Sequence, residues 1–535
     1  AKTDHVHSLA KHGHGAESAK IYAAGTVRMP SSVQVVLLSG RCEAVELNGA
    51  SLVGDALRRT SEALGVEVHT LVSEDGSEVL DHPSVPVGAT GLFSGGTWTA
   101  VVQPPSVRIW GGASAFAAVT ADGRLVSWGD RDRGGDCSAA RDRLSGGLRF
   151  IDCTGNAFAA VADDGSVVTW GHPSSGGDSS LVQEQLQGGV QTLFHTISAF
   201  VALKENAQVV AWGNPKEGGD LGNALRDELA GGGGGGVLSV ACSSQACAAL
   251  LSDGSVRTWG HIRVAPADMR EDLQGDVAAV FASQTAFSAL KRGGRVLTWG
   301  ELPHMRPEVV DLLKSGVCRV FSNHAAFAGV REDGSVVCWG FDESGGDGTL
   351  RNVPVQDRMP SRIRHIYNTA NAFAALSDEG SVVTWGHRDY GGNSSSVQDH
   401  LVAGVRELSA TKSAFAALKD TGQVVAWGCA AHGGDCRRHE LALKEGVNRV
   451  FATWGAFAAL KDTSGPVLAW GHRFYGGIIP THTALRLKCG VRELFCGGAA
   501  FAAVKEDGEV VTWGRPELGG DCSAVHATLQ SAPRS

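Results

Sequence analysis

The chain has 535 residues, of which only 19% are charged, and its formal net charge of −9 gives no sign of the clustered basic face that nucleic-acid binding requires. Its 72 glycines and 13 tryptophans fit tight turns and aromatic-packed strands better than helices. No uninterrupted apolar run approaches the roughly 20 residues that span a bilayer, so neither a nucleic-acid nor a membrane partner is expected.

Residues 1–30 form a polar segment in which His5, His7, His12 and His14 are spread among Lys, Ala and Gly. A histidine-rich tract can bind metal, but the composition of the whole segment favours a disordered tail. No secretory signal peptide is visible. Because the sequence begins with Ala1 rather than Met, it is compatible with a further segment before residue 1.

Residues 33–103 have a different pattern. VQVVLLSGRCEAVEL predicts two strands joined by a Ser39-Gly40 turn. Residues 52–65 then place apolar side chains at helical spacing before a closing glycine. A strand at HTLV and a last strand at WTAVV complete the order β-β-α-β-β, which predicts a small α+β domain.

This order, with an LSG turn after the first strand, resembles a ubiquitin-like (β-grasp) domain. The diglycine tail of ubiquitin is absent and the last strand runs into Pro104-Pro105, so the resemblance implies a built-in module that is not conjugated. Leu71 or Val72 would be the counterpart of ubiquitin's apolar recognition patch. Two roles stay open: the module could recruit ubiquitin-type receptors, or it could cap an exposed face of the first repeat.

Ten Trp-Gly pairs, each preceded by a short apolar strand, divide residues 107–532 into repeats of 40 to 47 residues. Self-similarity at such a period indicates stacked units that cannot bury their faces alone. The pairs begin at Trp128, Trp170, Trp212, Trp259, Trp299, Trp339, Trp385, Trp427, Trp470 and Trp513.

Each repeat predicts three strands in the same order. The first is apolar, as in VRELS; the second carries Ala-Phe, or Ala-Cys in the fourth copy; the third reads VVxWG. In five copies an Asp-Gly turn, beginning at Asp122, Asp164, Asp253, Asp333 and Asp507, joins the second strand to the third, and we expect positive φ at both of its residues. The segment after the third strand could be a short outer helix or a ragged fourth strand.

Both faces of the second and third strands are apolar, which is typical of small sheets stacked face to face around an axis. We therefore predict a mainly β, propeller-like array in which each repeat Phe and Trp is buried between or within blades. Ten copies exceed the usual range of roughly 4 to 8 blades. Six glycines at 231–236 precede the last seven copies, so a seven-blade ring with a three-blade extension is one arrangement; a continuous array, as a large ring or an open toroid, is the other.

Two motifs follow the third strand: Gly-Gly-Asp in six copies and a histidine after Trp-Gly in four. Glycine-rich loops can hold phosphate or metal, but each loop supplies one carboxylate and no Ser/Thr-Lys. The aspartates are therefore expected to bond their own turns or a neighbouring blade, and the histidines to be polar surface residues. The residues concerned are Asp136, Asp178, Asp220, Asp347, Asp435 and Asp521, with Asn393 as a variant, and His172, His261, His387 and His472.

The sequence contains no GxSxG, HExxH, P-loop or dinucleotide-binding motif. We therefore assign no catalytic, cofactor-binding or metal-binding residue, expect no cofactor, and expect no intrinsic exchange, ligase or hydrolase activity. The twelve cysteines form no CxxC pair and are expected to be reduced, which indicates the cytoplasm or the nucleus.

The repeat resembles that of the regulator-of-chromosome-condensation family of β-propellers over about 425 residues. Its middle strand reads AFAAL or AFAAV where that family has His-Thr-x-Ala-Leu, and its loop reads HxxxGGD where that family has Asn-x-x-Gly-Gln-Leu-Gly, which indicates a divergent branch. No interval has room for the wedge with which the founding member catalyses nucleotide exchange on Ran. The Gly-Trp-Arg-His-Thr motif of the related plant ultraviolet-B photoreceptor is absent.

The resemblance implies a non-enzymatic scaffold that binds protein partners, with a link to ubiquitin signalling through the predicted module. One alternative is the substrate-recognition portion of a ubiquitin-protein ligase, because HECT-type ligases carry such propellers. A further alternative is a guanine-nucleotide exchange factor of the same repeat family.

Overall fold

The computed structural model describes residues 107–529, apart from gaps at 121, 145–146, 231–234, 262–266, 351–352, 355–361 and 462–464, together with six strands before residue 107. These six strands form one antiparallel sheet. Their bounds are Ser18–Ala23, Ser32–Leu37, Cys42–Glu46, Thr70–Ser73, Val79–Leu80 and Thr97–Val101.

The N-terminal sheet contains the predicted hairpin, because Ser32–Leu37 pairs with Cys42–Glu46. Ser18–Ala23 stands where the sequence predicts a tail, and it pairs with Ser32–Leu37 on one side and Thr97–Val101 on the other. The predicted helix at 52–65, the four histidines of the tail and the side chains of Leu71 and Val72 lie outside the described residues. The ubiquitin-like module therefore stays a prediction.

Residues 107–529 form ten three-stranded antiparallel sheets, here called blades 1 to 10 in chain order. The first strand of each blade contacts the first strand of its neighbours and is called the inner strand. The inner strands are Val107–Gly111, Leu148–Cys153, Val190–His195, Val237–Cys242, Val277–Ala282, Val317–Ser322, Ile363–Asn368, Val405–Ala410, Val447–Ala452 and Val491–Cys496.

The middle and outer strands carry the two repeat motifs. The middle strands are Ala115–Thr120, Ala157–Ala162, Ala199–Lys204, Ala246–Leu251, Ala286–Lys291, Ala326–Arg331, Ala372–Ser377, Ala414–Lys419, Ala456–Lys461 and Ala500–Lys505. The outer strands are Leu125–Gly129, Val167–Gly171, Val209–Gly213, Val256–Gly260, Val296–Gly300, Val336–Gly340, Val382–Gly386, Val424–Gly428, Leu468–Gly471 and Val510–Gly514.

Short helices connect the blades, and each described blade has three strands. Of the two predictions for the segment after the third strand, the short outer helix is therefore confirmed and the fourth strand is not. A small hairpin follows blade 6 as a separate sheet, in which Thr349–Leu350 pairs with Val353–Pro354. The α-helices are Ser138–Arg141, Gly222–Ala230, Ala267–Asp272, Pro307–Leu312, Thr481–Arg486 and His526–Leu529. The 3₁₀-helices are Arg131–Arg133, Pro173–Ser175, Ser180–Leu186, Pro215–Glu217, Asp342–Ser344, Arg388–Tyr390, Gln398–His400, Ala430–His432, Arg437–His439, Arg473–Tyr475, Pro516–Leu518 and Ser523–Val525.

The ten blades close into one ring. Phe116 and Trp128 of blade 1 share a buried cluster with Val510 and other residues of blade 10, and the indole N–H of Trp128 donates to the carbonyl of Gly519 at 3.1 Å. The large-ring arrangement is therefore adopted, rather than an open toroid or seven blades plus three. Because blade 10 covers blade 1, the idea that the N-terminal module caps an exposed face of the first blade is wrong.

The interfaces between neighbouring blades, here called seams, are filled by the Phe and Trp side chains of the repeats, as predicted. In nine blades the Phe of the middle strand stacks on the Trp of the outer strand, with ring centroids 5.0–5.5 Å apart. These rings face the preceding blade: Phe158 and Trp170, for example, pack with Ala117 and Leu125. Both faces of the middle strand are buried because each blade is covered on two sides.

The turn between middle and outer strands differs from the prediction. In blade 2, Ala162 N–H donates to Ser166 O at 2.9 Å, which leaves a three-residue loop. Gly165 has φ of +76°, whereas among described non-glycine residues only Ala207 and Asp276 have positive φ. The prediction of positive φ at both Asp and Gly is wrong, because a type I turn followed by one left-handed residue forms the hairpin.

Blade 4 departs from the other nine at its middle strand. Cys247 stands in place of the repeat Phe, directly opposite Cys242 of the inner strand, and the two sulfurs form a disulfide bond. The prediction that every cysteine is reduced is therefore wrong for this pair. The other nine described cysteines carry free thiols.

Candidate functional site

A channel runs through the ring, and one of its ends is lined by the loops between inner and middle strands. We call this side of the ring the loop face. Residues of these loops line the cavity at this end, and among the described residues backbone hydrogen bonds join neighbouring loops across nine of the ten seams, all except the seam between blades 1 and 2. Nine such bonds of 2.9–3.1 Å run from blade to blade, through Gly155, Ile197, Ser244, Gln284, His324, Ala370, Lys412, Trp454 and Gly498 to Gly112.

This backbone belt fixes the shape of the channel mouth. A cavity of about 670 Å³ opens there. Because the belt residues are held by their main chain, their side chains can differ without changing the ring. The belt therefore presents variable side chains on a rigid frame, which is an arrangement suited to binding.

Three belt side chains give the channel mouth its chemistry. The ammonium of Lys412 lies 3.8 Å from the ring centroid of Trp454, a cation–π contact. Burial lowers the pKa of Lys412. Burial, followed by the charge of Lys412, lowers the pKa of His324, so this imidazole is neutral at pH 7.

Further aromatic side chains of blades 8 and 9 lie beside Gly455, the residue that follows Trp454. A Cβ at Gly455 would overlap the rings of Tyr475 and His432. The imidazole of His472 is 5.6 Å from that of His432, 5.3 Å from the ring of Tyr475 and 5.6 Å from the ring of Phe474, centroid to centroid. We call Lys412, Trp454, His432, His472, Arg473, Phe474 and Tyr475 the loop-face cluster.

The cluster combines exposed rings with fixed positions. Trp454 is 41% and Phe474 51% exposed, whereas every repeat Trp is 6% exposed or less. His432 is held by a 2.7 Å hydrogen bond between its Nδ1 and the hydroxyl of Ser413. Burial and then His472 lower the pKa of His432. The turn that carries Arg473 and Phe474 is capped by His472, whose Nδ1 accepts from the N–H of Phe474 at 3.3 Å.

The opposite end of the channel is built from inner-strand arginines. The guanidinium of Arg149 donates to Val190 O at 3.2 Å, and that of Arg319 to Arg364 O at 2.6 Å, in each case on the next blade. These carbonyls lie on an inner-strand edge that has no further strand beside it. The arginines therefore tie neighbouring blades together, which gives them a structural role.

One histidine of the channel wall makes stability depend on pH. His365 packs against Phe321, with ring centroids 5.0 Å apart, and burial followed by Arg319 lowers its pKa to about 4. The unfolded chain binds this proton near pH 6.5 and the folded chain only near pH 4. Stability is therefore lost as the pH falls between these values, because the unfolded state takes up the proton first.

Replacing His365 with glutamine removes this titration. Lowering the pH from 7 to 5 should reduce the free energy of unfolding of the unaltered chain by about 2 kcal/mol more than that of the His365→Gln variant. Urea denaturation at the two pH values measures both differences. Equal losses in the two proteins would show that His365 titrates alike in the folded and unfolded states.

The Gly-Gly-Asp loops turn out to be structural, as predicted. The carboxylates bond their own turns: Asp136 accepts from the N–H of Ser138, and the same bond is made by Asp178, Asp220, Asp435, Asp521 and the variant Asn393. In seven seams the carbonyl of the first glycine accepts from the indole N–H of the next blade's Trp, for example Gly134 from Trp170 at 3.0 Å.

Three indoles lack this bond: the indole nitrogens of Trp299, Trp339 and Trp385 have no partner among the described residues. Trp299 and Trp339 follow blades 4 and 5, whose loops have no paired glycines, whereas Trp385 follows blade 6, whose loop contains Gly345 and Gly346. Where the bond forms, the first of the paired glycines contributes to the contact between neighbouring blades. The main-chain carbonyl of Asp347 accepts from the guanidinium of Arg306 at 2.9 Å.

The four histidines after Trp-Gly lie at the start of these loops. His387 and His472 cap the following turn by accepting a backbone N–H through Nδ1, His172 bonds the hydroxyl of Ser174, and His261 is exposed. Only His472 belongs to the loop-face cluster. The other six cluster residues were not predicted as site residues from the sequence, because the loop position of Lys412 and Trp454 differs from copy to copy.

No helix in the described part of the chain has the length and apolar character needed to cross a membrane.

Comparison with known proteins gives distant likenesses to solved structures. No protein-family model and no curated protein matches the chain. Among solved structures, it is similar to Prp20p from Saccharomyces cerevisiae (15% identity, TM-score 0.33, 62% of this chain and 82% of that chain). It is also similar to the computationally designed Ika8 protein (16%, 0.30, 61% and 96%) and the CRINKLY WD40 ectodomain of the Arabidopsis thaliana receptor kinase ACR4 (16%, 0.27, 51% and 93%). Likeness at this level says nothing about what the chain binds.

Proposed function

We propose that the ring is a non-enzymatic scaffold that binds a protein partner at its loop face, with the loop-face cluster as the centre of the contact. The observation that carries this proposal is the exposure of Trp454 and Phe474, 41% and 51%, in a molecule whose repeat aromatics are otherwise buried. Large exposed aromatic side chains that lie together on a protein surface are typical of interaction sites.

The composition and rigidity of the cluster support a protein partner. Residues that contribute most to binding between proteins are enriched in Trp, Tyr and Arg, and the cluster contains all three. Its loops are held by the backbone belt at Lys412 and Trp454 and by the Ser413 bond to His432. Since these side chains need little further ordering, less of the interaction energy is lost on binding.

The partner can be located by a crosslinking experiment. A photo-crosslinking amino acid at Phe474 should form adducts with the partner in cell extract, because this side chain is half exposed at the edge of the cluster. In the same protein, Trp454→Ala should reduce the adducts about tenfold or more, the effect of removing a central interface aromatic.

Leu181 provides the matched control position. It is 98% exposed but lies on the connection after blade 2, away from the loop-face cluster. A crosslinker there should give few adducts that depend on Trp454. Adducts of equal yield from positions 181 and 474, both unchanged by Trp454→Ala, would contradict the proposal.

A link with ubiquitin signalling is a finer proposal that rests on the predicted module at 33–103. If that module recruits a ubiquitin receptor, Val72→Glu should abolish the interaction without unfolding the ring, since a compact domain has its own core. Function as the substrate-recognition portion of a ubiquitin-protein ligase requires a catalytic lobe, supplied in the same chain or by a partner. Function as an exchange factor requires accelerated nucleotide release from Ran, which a fluorescent-nucleotide assay measures.

A further inference from the structure

The loop-face cluster is set apart from the rest of the loop face by its charge. Five segments build it and its surroundings, at 411–413, 429–435, 453–455, 472–480 and 497–499, and Asp435 is the single acidic residue in their sequences. Its carboxylate already forms an ion pair with Arg437 at 2.6 Å. They contain Lys412 and Arg473 as permanent cations and His432 and His472 as titratable ones. The chain as a whole carries −9, so this is a basic area on an acidic protein.

The corresponding loops of three other blades contain two or three acidic residues each. The loop at 130–136 of blade 1 reads DRDRGGD, that at 214–220 reads NPKEGGD, and that at 341–347 reads FDESGGD. In blade 1, Arg131 lies at the same position of its 3₁₀-turn as Arg473 in blade 9. Arg131, however, forms an ion pair with Asp136 at 2.9 Å.

The two permanent cations of the cluster lie on aromatic rings. The guanidinium of Arg473 is 4.5 Å from the ring centroid of Phe474, and the ammonium of Lys412 is 3.8 Å from that of Trp454. Among the described residues, no carboxylate oxygen is within ion-pair distance of either cation. Each can therefore take a carboxylate from a partner without first releasing one of its own.

Building on the proposed function, we infer that the partner contributes an acidic peptide segment with interspersed apolar side chains. The carboxylates of this segment pair with Lys412 at the channel mouth and with Arg473 at the outer edge, and its apolar side chains pack on Trp454 and Phe474. Opposite charge fixes the position of the segment, and the aromatic rings supply most of the contact area.

The charge count favours a peptide over a nucleic acid. At neutral pH the cluster offers two permanent charges, and binding to a nucleic-acid backbone draws on a larger basic surface with many phosphate contacts. A short acidic segment needs only the local pairing that the cluster provides.

An array of immobilised 12-residue peptides, in which the contents of Glu, Lys, Leu and Phe are varied independently, tests this inference with the whole chain as the probe. The amount of protein bound to a peptide should rise with the number of Glu residues in that peptide, and it should rise further when Leu or Phe is added. The double variant Lys412→Glu with Arg473→Glu should weaken binding to the acidic peptides by about tenfold or more. Its thermal unfolding should be unchanged, because both side chains are on the surface.

Arg131→Glu is the matched control, since it reverses a charge at the equivalent position of blade 1 and should change binding less than about twofold. Signal that does not depend on Glu content, or that survives the double variant, would overturn the inference. Tighter binding to a labelled oligonucleotide than to any acidic peptide would overturn it in favour of a nucleic acid. Trp454-dependent crosslinks at position 474 without acidic-peptide binding would leave the proposed function standing and this inference refuted.

Discussion

Replacement of Phe158 by alanine should lower the free energy of unfolding by about 3–5 kcal/mol. Phe158 is 2% exposed and its ring stacks on Trp170 with centroids 5.3 Å apart. It fills the seam against Gly112 and Gly134 of blade 1. Strands paired on both sides and a fixed glycine loop line this space, so they cannot collapse into the cavity that alanine leaves. Chemical denaturation followed by tryptophan fluorescence measures the loss.

Leu181→Ala is the control for this prediction. Leu181 belongs to the connection that follows blade 2 and is 98% exposed, so its truncation should change the free energy of unfolding by less than about 0.5 kcal/mol. A loss of under about 1 kcal/mol for Phe158→Ala would mean that the seam repacks freely. The role of the repeat aromatics as fixed fillers between blades would then be wrong.

Gly134→Ala should destabilise the same seam from its other side, by about 2–5 kcal/mol. Gly134 has φ of +100°, a conformation that costs an L-residue energy in itself. An added Cβ would also overlap the ring of Phe158. The carbonyl of Gly134 accepts from the indole N–H of Trp170 at 3.0 Å, so a shift of this loop would also weaken that bond.

The backbone and packing contributions can be separated with Gly508→Ala. Gly508 has φ of +81°, and an added Cβ would meet no atom of the described residues within 4 Å. This variant should lose only about 1–2 kcal/mol, the cost of the left-handed backbone. Comparison of the two unfolding free energies then gives the cost of overlap with Phe158. Equal losses of unfolding free energy in Gly134→Ala and Gly508→Ala would show that overlap with the Phe158 ring adds no cost.

The blade itself could be predicted because ten copies repeat it. Ala-Phe and Trp-Gly recur at matching positions, and the residues they predict to be buried, such as Phe158 and Trp170, are buried. The turn conformation was harder to predict, because Asp-Gly fits both a two-residue loop and the three-residue loop that ends at Gly165. One local motif is compatible with two hairpins that differ by a single bulge.

Closure of the ring could not be read from any single copy. It depends on the small angle between neighbouring blades, which is summed over ten seams, and the contact between Trp128 and Gly519 joins residues 391 positions apart. The cluster was missed for a related reason. Lys412 and Trp454 stand at a loop position that differs from copy to copy, as Gly155 and Ile197 show, so the internal repeat carries no information about them.

The backbone belt makes neighbouring blades mechanically dependent on one another. In an open stack, an outer repeat is held on one side and can detach by itself. Here every blade is held on both sides, and Gly498 N–H donates across the closing seam to Gly112 O at 2.9 Å, so no blade can leave without breaking two seams. A partner that bridges Lys412 of blade 8 and Arg473 of blade 9 would therefore strengthen one of the ten seams, and these two blades would separate from each other only after the partner is released.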